Sequence, residues 1–244
     1  MRLFARVRRS EGSRRLLWLF LASLVAGSTI WTTHFAAMLG YIVPFERTFE
    51  PVLTLLSLVT VMTSSAAGFF IAARTASSYL IEIGGLIFGL GIAAMHYTGM
   101  AAFQVPGIIE WDFGYIVASI LLGGAFGALA MNRICRPVTR FCRYGAAVSM
   151  IIAIVSMHFT GMTAITIAPG FVADLPSQAL PDGFMLAAVI GITLLILATV
   201  GSAYAIDVDS TNEASATLER LSLYDALTGL PNRSYAERQL SDLV

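Results

Sequence analysis

Met95-His96-Tyr97-Thr98-Gly99-Met100 stands near the end of a long apolar run, where an ionisable side chain is expensive. The stretch recurs 62 residues later as Met157-His158-Phe159-Thr160-Gly161-Met162. A looser copy, Thr33-His34-Phe35-Ala36-Ala37-Met38, lies 62 residues earlier. Together the copies hold all 3 histidines of the chain. The period extends past the motif. Pro44 and Pro106 each follow their histidine by ten residues, and Pro169 follows by eleven. Glu50, Asp112 and Asp174 each follow by sixteen, and Arg74 and Arg136 are 62 apart. A fixed period with one histidine per unit marks a repeat architecture.

Around these motifs the chain of 244 residues is 57% hydrophobic and 12% charged, with a mean hydropathy of +0.78. A soluble domain carries about twice that charged fraction. The apolar runs are 16–40, 52–73, 79–103, 113–131, 144–167 and 184–206. Each reaches or approaches the length of about 20 residues needed to cross the hydrocarbon core as a helix. The runs lack the alternation of a membrane barrel, and lipid admits only helices or closed barrels. The expected fold is therefore an all-α membrane protein of six transmembrane helices, arranged as three repeated helical hairpins. Gly85/Gly89 and Gly123/Gly127 are small pairs four apart that let helix backbones approach. The lipid bilayer is the expected environment.

Orientation follows from the basic residues, all 15 of which are arginine. The segment before the first run, the turn at Arg74, the turn from Arg133 to Arg143 and the tail together carry fourteen, and the opposite loops carry only Arg47. The positive-inside rule then places both termini in the cytoplasm and all three histidines near the outer ends of the first, third and fifth helices. A formal net charge of zero gives no reason to expect a nucleic-acid partner. Cys135 and Cys142 have no histidine or further cysteine nearby and make no metal signature.

His96 and Met100 are four apart on one helical face, as are His34 with Met38 and His158 with Met162. Met95 and Met157 stand one step before their histidines. The set is three imidazoles and five thioethers at one depth, a borderline-to-soft ligand set that suits copper and suits hard cations poorly. The candidate metal ligands are thus His34, Met38, Met95, His96, Met100, Met157, His158 and Met162. The second and third copies are complete, so His96 and His158 are expected at the core of a single site. Haem ligation by His or Met is a second chemistry. A proton relay would want acids at membrane depth, and only Glu82 offers one. The plain alternative is structural: a histidine bonding a neighbouring helix, with methionine as apolar filling. In function these readings become a sensor, a haem- or copper-binding redox or transport protein, or a membrane dimeriser. Gly99 and Gly161 leave little bulk between the motif positions, so another helix or a bound group can come close.

At these residues the chain resembles the MHYT domain, a bacterial integral-membrane sensor module, over 14–206. The resemblance implies sensing of oxygen, carbon monoxide or nitric oxide, or of redox state, with copper as the bound metal, at the bacterial inner membrane. Thr33 departs from the family pattern, which often has Met there. That pattern also carries one more helix before the first motif helix; Met1 to Arg6 reads as the end of such a helix, so the expectation is that the chain begins late. Asp225-Ala226-Leu227-Thr228-Gly229-Leu230-Pro231-Asn232-Arg233 resembles the opening of a GGDEF domain, an α/β fold. Segment 223–244 is then its first fragment, and 207–222 a helical signalling linker. Relatives of this layout make cyclic di-GMP from GTP with Mg, as dimers, often with a phosphodiesterase domain beyond. The catalytic residues would lie past Val244, so none is assigned here. Asp225 and Asn232 read as structural residues of an Asx-type turn and a helix cap.

Overall fold

The computed structural model describes residues 2–44, 46–74, 77–139, 141–168, 179–225, 228–232 and 234–235. The chain divides into two compact units, Met1–Ile196 and Leu197–Val244. Seven helices are described: α1 (Arg2–Arg9), α2 (Gly12–Gly40), α3 (Pro51–Ala73), α4 (Ser78–Ala102), α5 (Phe113–Cys135), α6 (Cys142–Thr163) and α7 (Asp182–Leu223). Six of them, α2 to α7, are long and apolar enough to cross a membrane. The protein is thus an all-α, multi-pass membrane protein. Helices α2, α4 and α6 each carry one histidine, and α3, α5 and α7 are the return helices.

Several expected boundaries move. The third and fifth runs end early as helices, at Ala102 and Thr163, because the chain then becomes extended. Phe103–Gln104 (β2) pairs antiparallel with Thr48–Phe49 (β1), and Ile108–Trp111 (β3) pairs with Ile165–Ala168 (β4). Leu180–Pro181 (β5) pairs with the other edge of β1. The registers repeat with the 62-residue period: Thr48 opposes Gln104, and Glu110 opposes Thr166. Among the described residues, the first two loops at the histidine end are each stitched to the following repeat. The acids noted sixteen residues after the histidines are helix N-caps. Glu50 accepts from the N–H groups of Val52 and Leu53, and Asp112 from those of Gly114 and Tyr115. The backbone N–H of Glu50 donates to Ala102, and that of Asp112 to Ala164, each at 2.8 Å. Asp174 and Pro169 lie outside the described residues.

The lone arginine at the histidine end has a specific task. Arg47 donates to the carbonyls of Met38, Leu39 and Tyr41, at the carboxyl end of α2, and forks onto Asp182 at 2.9 and 3.1 Å. A helix end leaves its last carbonyls unpaired and carries partial negative charge, so a guanidinium meets both needs. Asp182 in turn opens α7, where a carboxylate is favoured. At the opposite end the first residues form their own helix. Phe4 and Val7 of α1 are buried, with the Phe4 ring 5.2 Å from Phe69. Arg8 donates to the Cys135 carbonyl at 2.6 Å and caps α5 as Arg47 caps α2.

Glycine contacts hold the hairpins together. A Cβ at Gly85 would stand 2.6 Å from the Gly127 carbonyl oxygen, and one at Gly84 would stand 2.6 Å from that of Gly68. Gly89 and Gly123 meet in the same way. Return helix α3 packs on both α2 and α4, and α5 packs on both α4 and α6. Among the described residues α7 has no comparably close helix partner. Only 11% of its most apolar window is buried, against 28% to 50% in the other five spans.

In the second unit α7 continues as helix to Leu223, so the 207–222 segment is helical through its length. The Asp225 carboxylate then accepts from the Thr228 N–H and hydroxyl, both at 2.9 Å, with Gly229 at a φ of 68°. The Asn232 side chain accepts from the Tyr235 N–H at 3.2 Å and donates to the Ser222 carbonyl. These are the turn and cap expected of Asp225 and Asn232. Residues 236–244 lie outside the described set.

Candidate metal centre

The three histidines come from three helices and meet at one point. The His34 Nδ1 lies 3.2 Å from the Nδ1 of His96 and 3.2 Å from that of His158. Ring centroids are 5.0, 5.2 and 5.2 Å apart, with interplanar angles from 80° to 87°. The rings are therefore edge-on to one another around a pseudo-threefold axis. All three are buried, and a ligating nitrogen from each lies within 4.8 Å of the others. His34, from the degenerate copy, is the hub. His96 and His158, the expected core of a single site, stand in this trio with His34 between them.

The close contacts cannot all be ordinary hydrogen bonds. A neutral imidazole nitrogen offers either one proton or one lone pair. His34 Nδ1 faces two neighbours with that single resource. Two nitrogens bound at about 2.0 Å to one tetrahedral ion stand about 3.3 Å apart. The observed 3.2 Å spacing fits a shared cation. It does not fit axial haem ligation, where nitrogens on opposite faces of an iron stand about 4 Å apart with a porphyrin between them.

The outer edges of the rings explain the motif glycines. His34 Nε2 and His96 Nε2 are buried and have no partner. A Cβ at Gly99 would lie 2.6 Å from His34 Nε2, and one at Gly161 would press on His96 Nε2. Each glycine makes room for the imidazole of the preceding repeat. Phe35, Tyr97 and Phe159 each stand edge-on to the adjacent histidine. Phe35 is fully buried, Tyr97 bonds Ser119 at 2.6 Å, and Phe159 is exposed. Thr98 bonds the Ala94 carbonyl of its own helix rather than an imidazole.

Met38, Met95, Met100 and Met157 are buried in the hydrophobic core, and Met162 packs against it half-buried. The leading methionine has a packing partner: the Met157 Cγ lies 3.1 Å from where a Gly123 Cβ would stand on α5. The structure thus gathers the three histidines into a point, with four of the five motif methionines buried and Met162 half-buried. Arg47 and Ser119 were not singled out from the sequence as residues ordering this end. Their signals were the one arginine on the acidic side and a serine at 57 and 119, repeated at the 62-residue period.

Three repeated hairpins converging on a buried histidine trio define a multi-pass membrane protein of repeat architecture. The chain belongs to the MHYT family, the bacterial signalling protein N-terminal repeat, whose units match residues 27–85, 89–147 and 152–214. It is 39% identical over 90% of its length to an uncharacterized signaling protein of Caulobacter vibrioides, covering 27% of that protein. It is 33% identical over 98% of its length to the bifunctional diguanylate cyclase/cyclic di-GMP phosphodiesterase MucR of Pseudomonas aeruginosa, covering 37%. It is 31% identical over 89% of its length to the cyclic di-GMP phosphodiesterase NbdA of the same organism, covering 31%. The chain therefore spans well under half of each of these relatives. No solved structure gives a significant match.

Proposed function

We propose that this chain is the sensory part of a bacterial inner-membrane signalling protein that controls cyclic di-GMP, with both termini cytoplasmic. The observation that carries the reading is the buried His34–His96–His158 trio, with its shared 3.2 Å nitrogen contacts. Copper fits this donor set, which lacks thiolate and carboxylate. His34, His96 and His158 would hold it through Nδ1, with Met38, Met100 and Met162 as thioethers on the same helix faces. Copper supplies a centre whose oxidation state and free coordination position respond to oxygen, carbon monoxide, nitric oxide or redox state.

The chain's own residues supply the coupling. Each imidazole rides on a different helix, so a change in ring spacing is a change in helix spacing. Gly99 and Gly161 fix where the rings sit, and burial excludes water from them. A ligand that favours one arrangement over another shifts the population between the two. The arrangement would pass to an output domain of GGDEF type, opened by Asp225 to Arg233, acting as a homodimer through the 207–222 linker. Mg and GTP belong to that output. The fourteen-to-one distribution of arginine supports the cytoplasmic termini, and the two Pseudomonas relatives support the cyclic di-GMP link.

The test is the cyclic di-GMP level of cells carrying the protein with its native downstream sequence, measured across an oxygen shift. His96→Gln, which keeps an interhelical hydrogen bond but loses the imidazole, is expected to abolish the response. A response equal to wild type would overturn the proposal.

A further inference from the structure

The 62-residue period lets every surface of one repeat be compared with its counterparts, and one flank of the histidine trio stands out. In the second and third repeats, Gly91 and Met95 on α4 and Ala153 and Met157 on α6 are buried on the side of the preceding return helix. Their counterparts on α2, Thr29 and Thr33, are exposed. The other side of each histidine helix faces its own return helix. There Gly27, Trp31 and Phe35 on α2 are buried, as are Gly89 and Ala93 on α4. The counterparts on α6 are Ile151, Val155 and Phe159, exposed at 59%, 44% and 61%. The two bare flanks belong to α2 and α6, the helices bridged by the His34–His158 contact. Cyclic symmetry puts α7 in this seam, as α3 fills the seam between α2 and α4 and α5 that between α4 and α6.

The sequence of α7 gives the physical reason it seats less closely there than α3 and α5 do in their seams: Met185 and Val189 are buried against the core, but its backbone stays back. On α3 the packing face is Val61, Ser65, Gly68 and Ala72, and on α5 it is Gly123, Gly127 and Ala130. Small residues there permit backbone-to-backbone approach. At the same repeat positions α7 carries Met185, Val189, Ile192 and Ile196. These bulky side chains hold its backbone off. Of the three imidazoles, His158 is the most exposed, at 7% against 0% for His96 and 3% for His34.

We propose that the seam between α2 and α6 is the lateral route by which a small uncharged ligand passes from the bilayer to the histidine trio. This rests on the reading of the trio as the sensing site. Diatomic gases are apolar and concentrate in hydrocarbon, so a loosely covered seam with Thr29, Thr33, Val155 and Phe159 exposed on its two flanks admits them without a water-filled channel. The same loose seating leaves α7, the helix that runs on toward the carboxyl end, free to respond to what occupies the seam.

Two measurements on full-length protein in lipid nanodiscs test the route. The first needs no metal. Phe159→Trp is compared with Tyr115→Trp, a lipid-facing control near the same end of α5, in nanodiscs with acyl-brominated phosphatidylcholine. Both tryptophans are expected to be quenched alike. An unquenched Phe159→Trp would show the seam covered, by α7 or by a second copy, and would overturn the proposal. The second uses carbon monoxide with Cu(I)-loaded protein. Thr33→Trp is expected to slow binding by about tenfold or more, with copper content unchanged; tenfold is about 1.4 kcal/mol of barrier. Wild-type rates in a fully loaded Thr33→Trp would also overturn it. If the wild type takes up no copper, the sensing-site reading fails, while the quenching result still decides whether the seam is open.

Discussion

The Nε2 of His34 rests against Gly99, on the next repeat, so closely that a Cβ there would stand 2.6 Å away. His96 makes the same contact with Gly161. Gly99→Ala and Gly161→Ala are therefore overpacking changes at the site itself, expected to cost about 1–3 kcal/mol each. Gly191→Ala meets nothing within 4 Å and is expected to be neutral or mildly stabilising, since alanine is the better helix former. Thermal unfolding of the three variants in detergent checks the order. Equal midpoints for all three would remove the cradle interpretation.

Arg47 joins the end of α2 to the start of α7. Arg47→Met leaves two α2 carbonyls and that of the C-cap Tyr41 without their charged donor and unties Asp182. A loss of about 2–3 kcal/mol is expected, in the range for hydrogen bonds to charged groups. Asp182→Asn is expected to cost less than about 1 kcal/mol, because that carboxylate is 45% exposed and its half of the pair is screened. Denaturation curves that show the reverse order would contradict the capping role.

Glu50 and Asp112 are equivalent N-caps one repeat apart. Glu50→Ala and Asp112→Ala should each cost about 1 kcal/mol. They cap different helices, so the double variant should show the sum within about 0.5 kcal/mol. A large excess would mean that the two stitched loops act as one unit.

Much of this was readable from the chain. The 62-residue period, the apolar runs and the histidines predict three hairpins with one imidazole each, and the structure has them. What a linear reading missed is that three repeats close around an axis. The degenerate copy looked weakest because Thr33 replaces a methionine, yet His34 is the residue shared by both close contacts. Met157 packs on Gly123 of the preceding hairpin, whereas its counterpart on α2, Thr33, is exposed. The short strands were hidden because Ile165 to Ala168 is as apolar as the helix it follows. Arg47 was visible only as an exception to a charge rule; its meaning depends on which helix end it meets.

The methionines divide into two groups by their place on the helix. Met38, Met100 and Met162 share a helix face with their histidines, whereas Met157 is committed to α5. Met100→Leu should weaken Cu(I) binding by about tenfold or more, and Met157→Leu should leave it near wild type with a stability cost below about 1.5 kcal/mol. Competition with a Cu(I) chelator reads both. Equal weakening would place the leading methionines among the ligands.

The central claim is that one ion sits among three imidazoles from three helices. The direct measurement is copper per chain in membrane-extracted, purified protein under reducing conditions, beside His34→Gln, His96→Gln and His158→Gln. The expected result is about one copper per wild-type chain, with X-ray absorption showing nitrogen donors near 2.0 Å, and loss of the metal in all three variants, His34→Gln included. Wild-type protein with no more copper than the variants, or a His34→Gln protein that keeps its metal, would contradict it.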